Sequence, residues 1–250
     1  LAREAQYVSA ATPGWLRYRS LAALRTGEKG RAFRLGIRGD GRNRTVSVSA
    51  SLGFREHRER LRADAVKSKA LGNGVYYLNL DRISWEEIGA LLPELQKAKA
   101  VICDLRGYPN GNHLLIGHLL KKPDTARWMG IPQIIRPDFE QVEYQRIGWF
   151  LAPRQPALSA RMIFVSDGRA ISYAESFLGY IEGYKLATIV GQPSAGTNGN
   201  VNTLALAGGY EVSWTGMRVE KIDGGRHHGV GIVPDVLVER TVRGVRAGRD

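Results

Sequence analysis

Ala100-Val101-Ile102-Cys103-Asp104-Leu105-Arg106-Gly107 decides the fold. An unbroken apolar run that ends in a carboxylate, a guanidinium and a glycine reads as a buried strand running into a loop. Strand and helix signals alternate on both sides of it. Val75-Tyr76-Tyr77-Leu78-Asn79-Leu80 is a strand, and Ser84-Trp85-Glu86-Glu87 is a capping box that opens a helix. Pro93 is expected to kink or divide that helix. Beyond Gly107 the pattern predicts a helix over about 111–120, a buried strand over 161–165, a helix over 171–183 and a strand over 187–190. This alternation specifies an α/β core. The tail turns to strands over 201–206, 210–214, 217–221 and 236–239.

The N-terminal quarter is organised differently. Residues 11–26 read as a helix with Thr12 as N-cap, Pro13 at its first position and Gly27 as its stop. Two alternating strands follow, Ala32 to Ile37 and Thr45 to Ser49. The turn signal Gly39-Asp40-Gly41-Arg42-Asn43 lies between them. Residues 54–70 are dominated by Arg, Glu and Lys and read as an exposed linker.

Charge follows the same division. The chain carries 36 Lys and Arg against 24 Asp and Glu, a net +12 over 250 residues. Residues 1–70 hold 16 of the cations and 6 of the anions, so nearly all the excess sits there. Such a quarter is either a solvated Arg-rich surface or a polyanion-binding one. Several classes drop out. No apolar run approaches the ~20 residues of a membrane span. Glycine has no collagen-like period. The single cysteine, Cys103, excludes an intramolecular disulfide and reads as a small core hydrophobe. The chain starts with Leu and shows no signal sequence, which reads as a processed piece.

Three glycine-rich junctions lie at or just beyond predicted strand ends. They are Asp104 to Gly111, Ser166 to Ser172 and Gly191 to Gly199. Strand C-termini form the ligand crevice of α/β sheets, and helix N-termini there offer free amides. Ser172, at a helix start, is a candidate nucleophile; the competing reading is a plain N-cap. Neither a P-loop nor a G-x-S-x-G elbow is present.

Four motifs carry a family resemblance. Asp104-Leu105-Arg106-Gly107 resembles the D-L-R strand end of the tail-specific (C-terminal processing) proteases and the tricorn core. Ser172-Tyr173-Ala174-Glu175 resembles their nucleophile motif, with the serine first. Residues 187–196 resemble the strand and V-G-x-P turn that follow, and Gly231-Ile232-Val233-Pro234-Asp235-Val236 the closing G-I-x-P-D segment. The resemblance covers roughly residues 73–240. It implies a crotonase-like core with a mixed β-sheet and packed helices, and peptide hydrolysis through an acyl-enzyme on Ser172. The expected layout is a partial PDZ-like α+β module over 1–53, a charged linker over 54–72 and the catalytic core over 73–250. Oxyanion donors are expected from the backbone of Gly107, Tyr108 and Tyr173. Asp104, Arg106 and Glu175 read as structural.

The sequence departs from the family at the general base. Thr197 stands where the tail-specific proteases have lysine, and a hydroxyl cannot take the serine proton. A histidine base, as in the tricorn arrangement, is the alternative. His228 and His227 are the first candidates and His113 the second. His113 and His118, five apart on a helix, cannot both face one site. His57 reads as solvated.

The expected function is therefore a serine-type peptidase acting on peptides or unfolded proteins, without cofactor or metal. By the resemblance it is exported to the periplasm or beyond. Two other readings compete. One is a peptide-binding relative that has lost the reaction. The other is polyanion binding through the basic quarter, with nucleic acid disfavoured because aromatic residues are sparse there.

Overall fold

The computed structural model describes residues 2–24, 27–39, 41–63, 65–138 and 140–248. Asp40 of the expected turn and residues 25–26 of the expected helix end lie outside the described residues. The chain forms two compact units. One comprises Leu1–Ser9 with Leu16–Val66, the other Ala10–Trp15 with Lys67–Asp250.

In the N-terminal part, helices α1 (Ala2–Ala5) and α2 (Pro13–Ala23) precede an antiparallel pair, β1 (Ala32–Gly39) and β2 (Arg42–Ser49). Register pairs Phe33 with Val48 and Leu35 with Val46, so the sequence alternation becomes one apolar face. Thr12 Oγ1 accepts from the Trp15 N–H at 3.4 Å, as an N-cap does.

The expected linker is structured. Residues 54–72 carry helix α3 (Phe54–Ala63) and strand β3 (Ser68–Gly72). Arg and Glu are good helix formers, and Glu56 pairs with Arg60 one turn on at 3.2 Å. Residues 54–63 of the charge run thus form one helix, with Arg55, Glu56, Glu59 and Arg60 exposed.

The larger unit is built on a six-stranded sheet. Its strands are β3, β4 (Val75–Asn79), β5 (Ala100–Asp104), the later β8 (Arg161–Ser166) and β9 (Thr188–Gly191), and β13 (Val236–Leu237), ordered β13-β9-β8-β5-β4-β3. All neighbours are parallel except the edge pair β3–β4. Helix α4 (Trp85–Lys97) crosses from β4 to β5, and α5 (Tyr173–Gly183) from β8 to β9. The Ser84–Glu87 capping box is formed in both directions, at 2.9 and 3.2 Å. Pro93 does not divide α4, which runs on to Lys97 with Ile88 and Leu95 buried on either side of the proline. The core joins the sheet to these helices. Leu78, Val101, Cys103, Phe164, Phe177 and Leu178 are fully buried, with the Phe164 and Phe177 rings 5.7 Å apart. Burial pushes the Cys103 thiol pKa far up, and Asp104 adds to the shift.

The excursion between β5 and β8 differs from expectation. The predicted helix over 111–120 is a 3₁₀ segment, His113–His118. It is followed by strands β6 (Met129–Ile134) and β7 (Val142–Ile147), which the sequence pattern did not announce. Between β9 and β13 lie the hairpin β10 (Val201–Ala205) and β11 (Glu211–Thr215), then β12 (Arg218–Val219), which pairs with β6. A short helix, α6 (Val242–Arg246), follows β13. No helix among the described residues is long and apolar enough to cross a membrane.

Candidate active site

Because β5, β8 and β9 are parallel and in register, their C-terminal ends fall on one edge. Asp104 lies opposite Val165, and Ser166 opposite Gly191. All three glycine-rich junctions leave from this edge and are tied together there. Leu105 N–H donates to Val165 O, Gln192 N–H to Ser166 O and Ala195 N–H to Ala170 O, at 2.8–2.9 Å.

Two clasps of the same design shape the first two junctions. Arg106 returns to Asp104 and Arg169 to Asp167, with contacts of 2.7–3.0 Å. Burial opposes ionisation of Asp104, but Arg106 and the Tyr77 hydroxyl hold its carboxyl below the usual range. These groups fix the loops. Gly107 allows close approach: a Cβ there would lie 2.9 Å from the Asp81 carboxylate.

Ser172 precedes α5 with φ 56° and ψ −112°. This is mirror-image backbone that a residue with a Cβ adopts only under constraint. The contrast with Ser84 is direct, since that cap is extended at φ −81° and ψ 168°. Ser172 therefore departs from ordinary N-cap geometry. Its N–H donates to Glu175 Oε2 at 3.1 Å and to Thr197 O at 3.2 Å.

Glu175 is the hub of the site, a role its helix position alone did not reveal. The carboxylate is 1% exposed. Oε1 accepts from Ser194 Oγ at 2.6 Å and Gly196 N–H at 2.7 Å, while Oε2 also accepts from Thr197 N–H at 3.1 Å. Ser194 Oγ in turn accepts from Ile232 N–H at 2.8 Å, and Gly229 N–H donates to Gly196 O. The second, third and closing motifs thus meet at one carboxylate. Thr12 joins from the other side: its hydroxyl reaches Ser194 O and Ala195 O at 3.1 and 3.0 Å.

Tyr173 points to a separate aromatic group. His113 Nδ1 lies 2.6 Å from Tyr173 Oη, and the Tyr108, Trp149 and His113 rings sit 5.5–5.7 Å from the Tyr173 ring. This draws together Tyr108 and His113, which follow β5, and Tyr173, which follows β8. Behind them Asp124 accepts from the Tyr180 and Tyr184 hydroxyls, and burial with Asp124 pushes Tyr184 up to about 12.

The candidate histidines occupy distinct places. His228 Nε2 accepts from Val219 N–H at 3.1 Å, so its lone pair is spent on the backbone. His227 is 3% exposed, with Nε2 3.5 Å from Glu175 Oε1 and otherwise unpartnered. His118 is buried against Pro156 O. Burial and Arg154 lower the pKa of half-buried His113, which favours its neutral form. Among the described residues, no imidazole is hydrogen-bonded to Ser172 Oγ. The backbone amides of Gly107, Tyr108 and Tyr173 donate to no protein acceptor among the described residues. The described residues contain no cluster of three or more His, Cys, Asp or Glu placed to hold a metal ion.

An α/β core of this topology has clear structural counterparts. One is a putative peptidase from Parabacteroides merdae ATCC 43184, at 14% identity and TM-score 0.61 over 94% of this chain and 78% of that one. Mature CPAF complexed with lactacystin matches at 16% identity and TM-score 0.69, over 93% of this chain and 69% of that one. A photosystem II D1 C-terminal processing protease matches at 14% identity and TM-score 0.52, over 85% and 57% respectively. At these identities the likeness speaks for the fold. No curated protein matches by sequence. The profile of peptidase family S41 matches residues 74–238, and the chain belongs to that family. Its class is serine-type peptidase.

Proposed function

We propose that the protein hydrolyses peptide bonds through Ser172. The carrying observation is the mirror-image backbone of Ser172 at the start of α5, immediately before the free Tyr173 amide. Backbone held in this way costs about 1–3 kcal/mol and persists where function requires the side chain to be presented. In this reading Ser172 Oγ attacks the scissile carbonyl, and the amides of Tyr173, Gly107 and Tyr108 receive the oxyanion.

His113 is the base we assign. In this reading Nδ1, 2.6 Å from Tyr173 Oη, carries the proton and Nε2 keeps the lone pair, while burial and Arg154 favour the neutral ring. His227 lies too deep to serve both the serine and the leaving amine. It supports the reading in another way, by standing beside Glu175 and so beside the turn that carries residue 197. The proton passes from Ser172 to His113 as the acyl-enzyme forms, then to the departing amine. A water molecule repeats the sequence to release the acid. Substrates are peptides or unfolded proteins, and export is part of the reading.

Fluorophosphonate labelling tests it. Wild type is expected to label at Ser172 and Ser172→Ala to lose both label and hydrolysis. A wild type that neither labels nor cleaves would make the chain a peptide-binding relative, the outcome that Thr197 in place of lysine favours.

A further inference from the structure

A cleft opens beside Tyr173 on the His113 side. Its volume is about 560 Å³, and His113, Leu114, Trp149, Phe150, Leu151 and Arg154 line it. Its lining mixes apolar side chains with polar groups, and its titratable side chains are cationic Arg154 and the imidazole of His113. No Asp or Glu lines it among the described residues.

Arg154 is exposed but not loose. Its backbone N–H donates to Gly117 O at 2.8 Å, and its guanidinium lies 5.8 Å from the centre of the Trp85 ring. Its stem lies against Gly117, where a Cβ would come within 2.9 Å of Arg154 Cγ. The same Cβ would meet Ala152 O at 2.8 Å, so glycine makes room for the segment that carries the arginine. Among the described residues no carboxylate pairs with this guanidinium. An oriented fork of donors with no anion opposite it is suited to a carboxylate from outside.

The cleft is also close to the chemistry. Ser172 and Tyr173 are consecutive, so their Cα atoms are about 3.8 Å apart. From Tyr173 Oη it is 2.6 Å to His113, which forms the cleft wall. The Tyr173 side chain alone spans the interval between the Ser172 backbone and the cleft wall.

We propose that the cleft is a specificity subsite for a carboxylate of the substrate, clamped by Arg154 beside the side chains of Leu114 and Leu151. This rests on the reading of Ser172 as the nucleophile. The carboxylate comes from a Glu or Asp side chain next to the scissile bond, or from the free end of the peptide. Both present the same two oxygens, and the experiment separates them.

Peptides identical except for Glu or Gln beside the scissile bond, each with an amidated end, form one arm. Gln peptides with a free or amidated end form the other. Wild type is expected to favour the carboxylate in one arm by about tenfold in kcat/KM. That ratio should fall toward one in Arg154→Gln and drop in Gly117→Ala, where the arginine stem is displaced. Preference in the first arm assigns a side chain; preference only in the second assigns the terminus. Equal rates in both arms, or a ratio retained by Arg154→Gln, would overturn the subsite. Ser172→Ala protein provides a readout independent of cleavage: fluorescence anisotropy with the same peptides should show the same preference. If no peptide is cut but the binding preference is present and needs Arg154, the nucleophile assignment fails and the subsite stands.

Discussion

Glu175 reaches back one helical turn to hold the N–H of Ser172, its Oε2 3.1 Å from that nitrogen, while its other oxygen fixes the turn that carries Thr197. The carboxylate is buried and receives hydrogen bonds from Ser172, Ser194, Gly196 and Thr197. Replacing it by glutamine sets an amide NH₂ against N–H donors. Glu175→Gln is expected to cost about 3 kcal/mol, the scale of an uncompensated buried polar network. Urea unfolding measures the loss, and a change under about 1 kcal/mol would mean that the carboxylate is not the hub.

The backbone of Ser172 makes an opposite prediction. Glycine adopts φ 56°, ψ −112° without a Cβ clash, whereas alanine keeps the clash. Ser172→Gly should be more stable than Ser172→Ala by about 1 kcal/mol, although both lose the hydroxyl. Equal urea midpoints for the two variants would show that the serine conformation carries no strain.

The His113 assignment predicts the pH profile. Burial, then Arg154, holds the imidazole pKa below the ordinary 6.5. A neutral base is active above its pKa, so the acidic limb of kcat/KM should lie below pH 6.5. Arg154→Gln should move that limb upward, because one of the two causes is removed. Linkage has the matching sign. Between the lowered value and 6.5 the unfolded chain binds more protons, so this contribution to stability is lost as pH falls through that window. An acidic limb unmoved by Arg154→Gln would separate His113 from the reaction.

Position 197 offers a rescue experiment. Thr197 touches Ser172 and Glu175 through its backbone, so a new side chain leaves those bonds in place. Thr197→Lys in a His113→Gln background should restore hydrolysis, with the rate rising toward alkaline pH as the amine loses its proton. A general base is worth about 10²–10⁴ in rate, so even partial recovery is measurable. No recovery at any pH would show that the turn does not aim residue 197 at the serine.

Gly191 ends β9 at φ 123°, and a Cβ there would lie 2.2 Å from Ser166 O. Gly191→Ala should destabilise by about 3 kcal/mol, because both the backbone and the neighbouring strand end must move. Thermal unfolding is the check, and an unchanged Tm would refute the close packing of the two strand ends.

What the sequence disclosed follows from the range of the interactions. The β5 run and the Ser84 box are local and were readable as they stand. The helix over residues 54–63 was not legible because its run of Arg and Glu reads equally well as an exposed linker. Strands β6 and β7 were hidden for a similar reason: most of their residues are exposed, and Pro132 interrupts the pattern. At the site, motif order singled out Ser172 and Thr197, whose backbones are hydrogen-bonded to one another. Motif order did not reveal that Glu175 gathers residues 172 to 197, nor that His228 is spent on Val219. Those facts depend on side-chain directions across long sequence separations. Arg154, the arginine of the proposed subsite, carried no signal in the sequence, because one arginine in an arginine-rich chain stands out only once its surroundings are seen.

Thr12 belongs to the larger unit, yet residues 16–66, which belong to the other unit, separate it from the rest of that unit. Its hydroxyl closes over the carbonyls of Ser194 and Ala195, and a Cβ at Gly196 would strike its methyl group at 2.5 Å. The catalytic body is therefore discontinuous in sequence. A chain trimmed to begin at Lys67 would keep every motif named above and still leave an empty socket behind the turn beside Ser172. Cutting away the N-terminal region is thus an operation on the support of Ser172 itself.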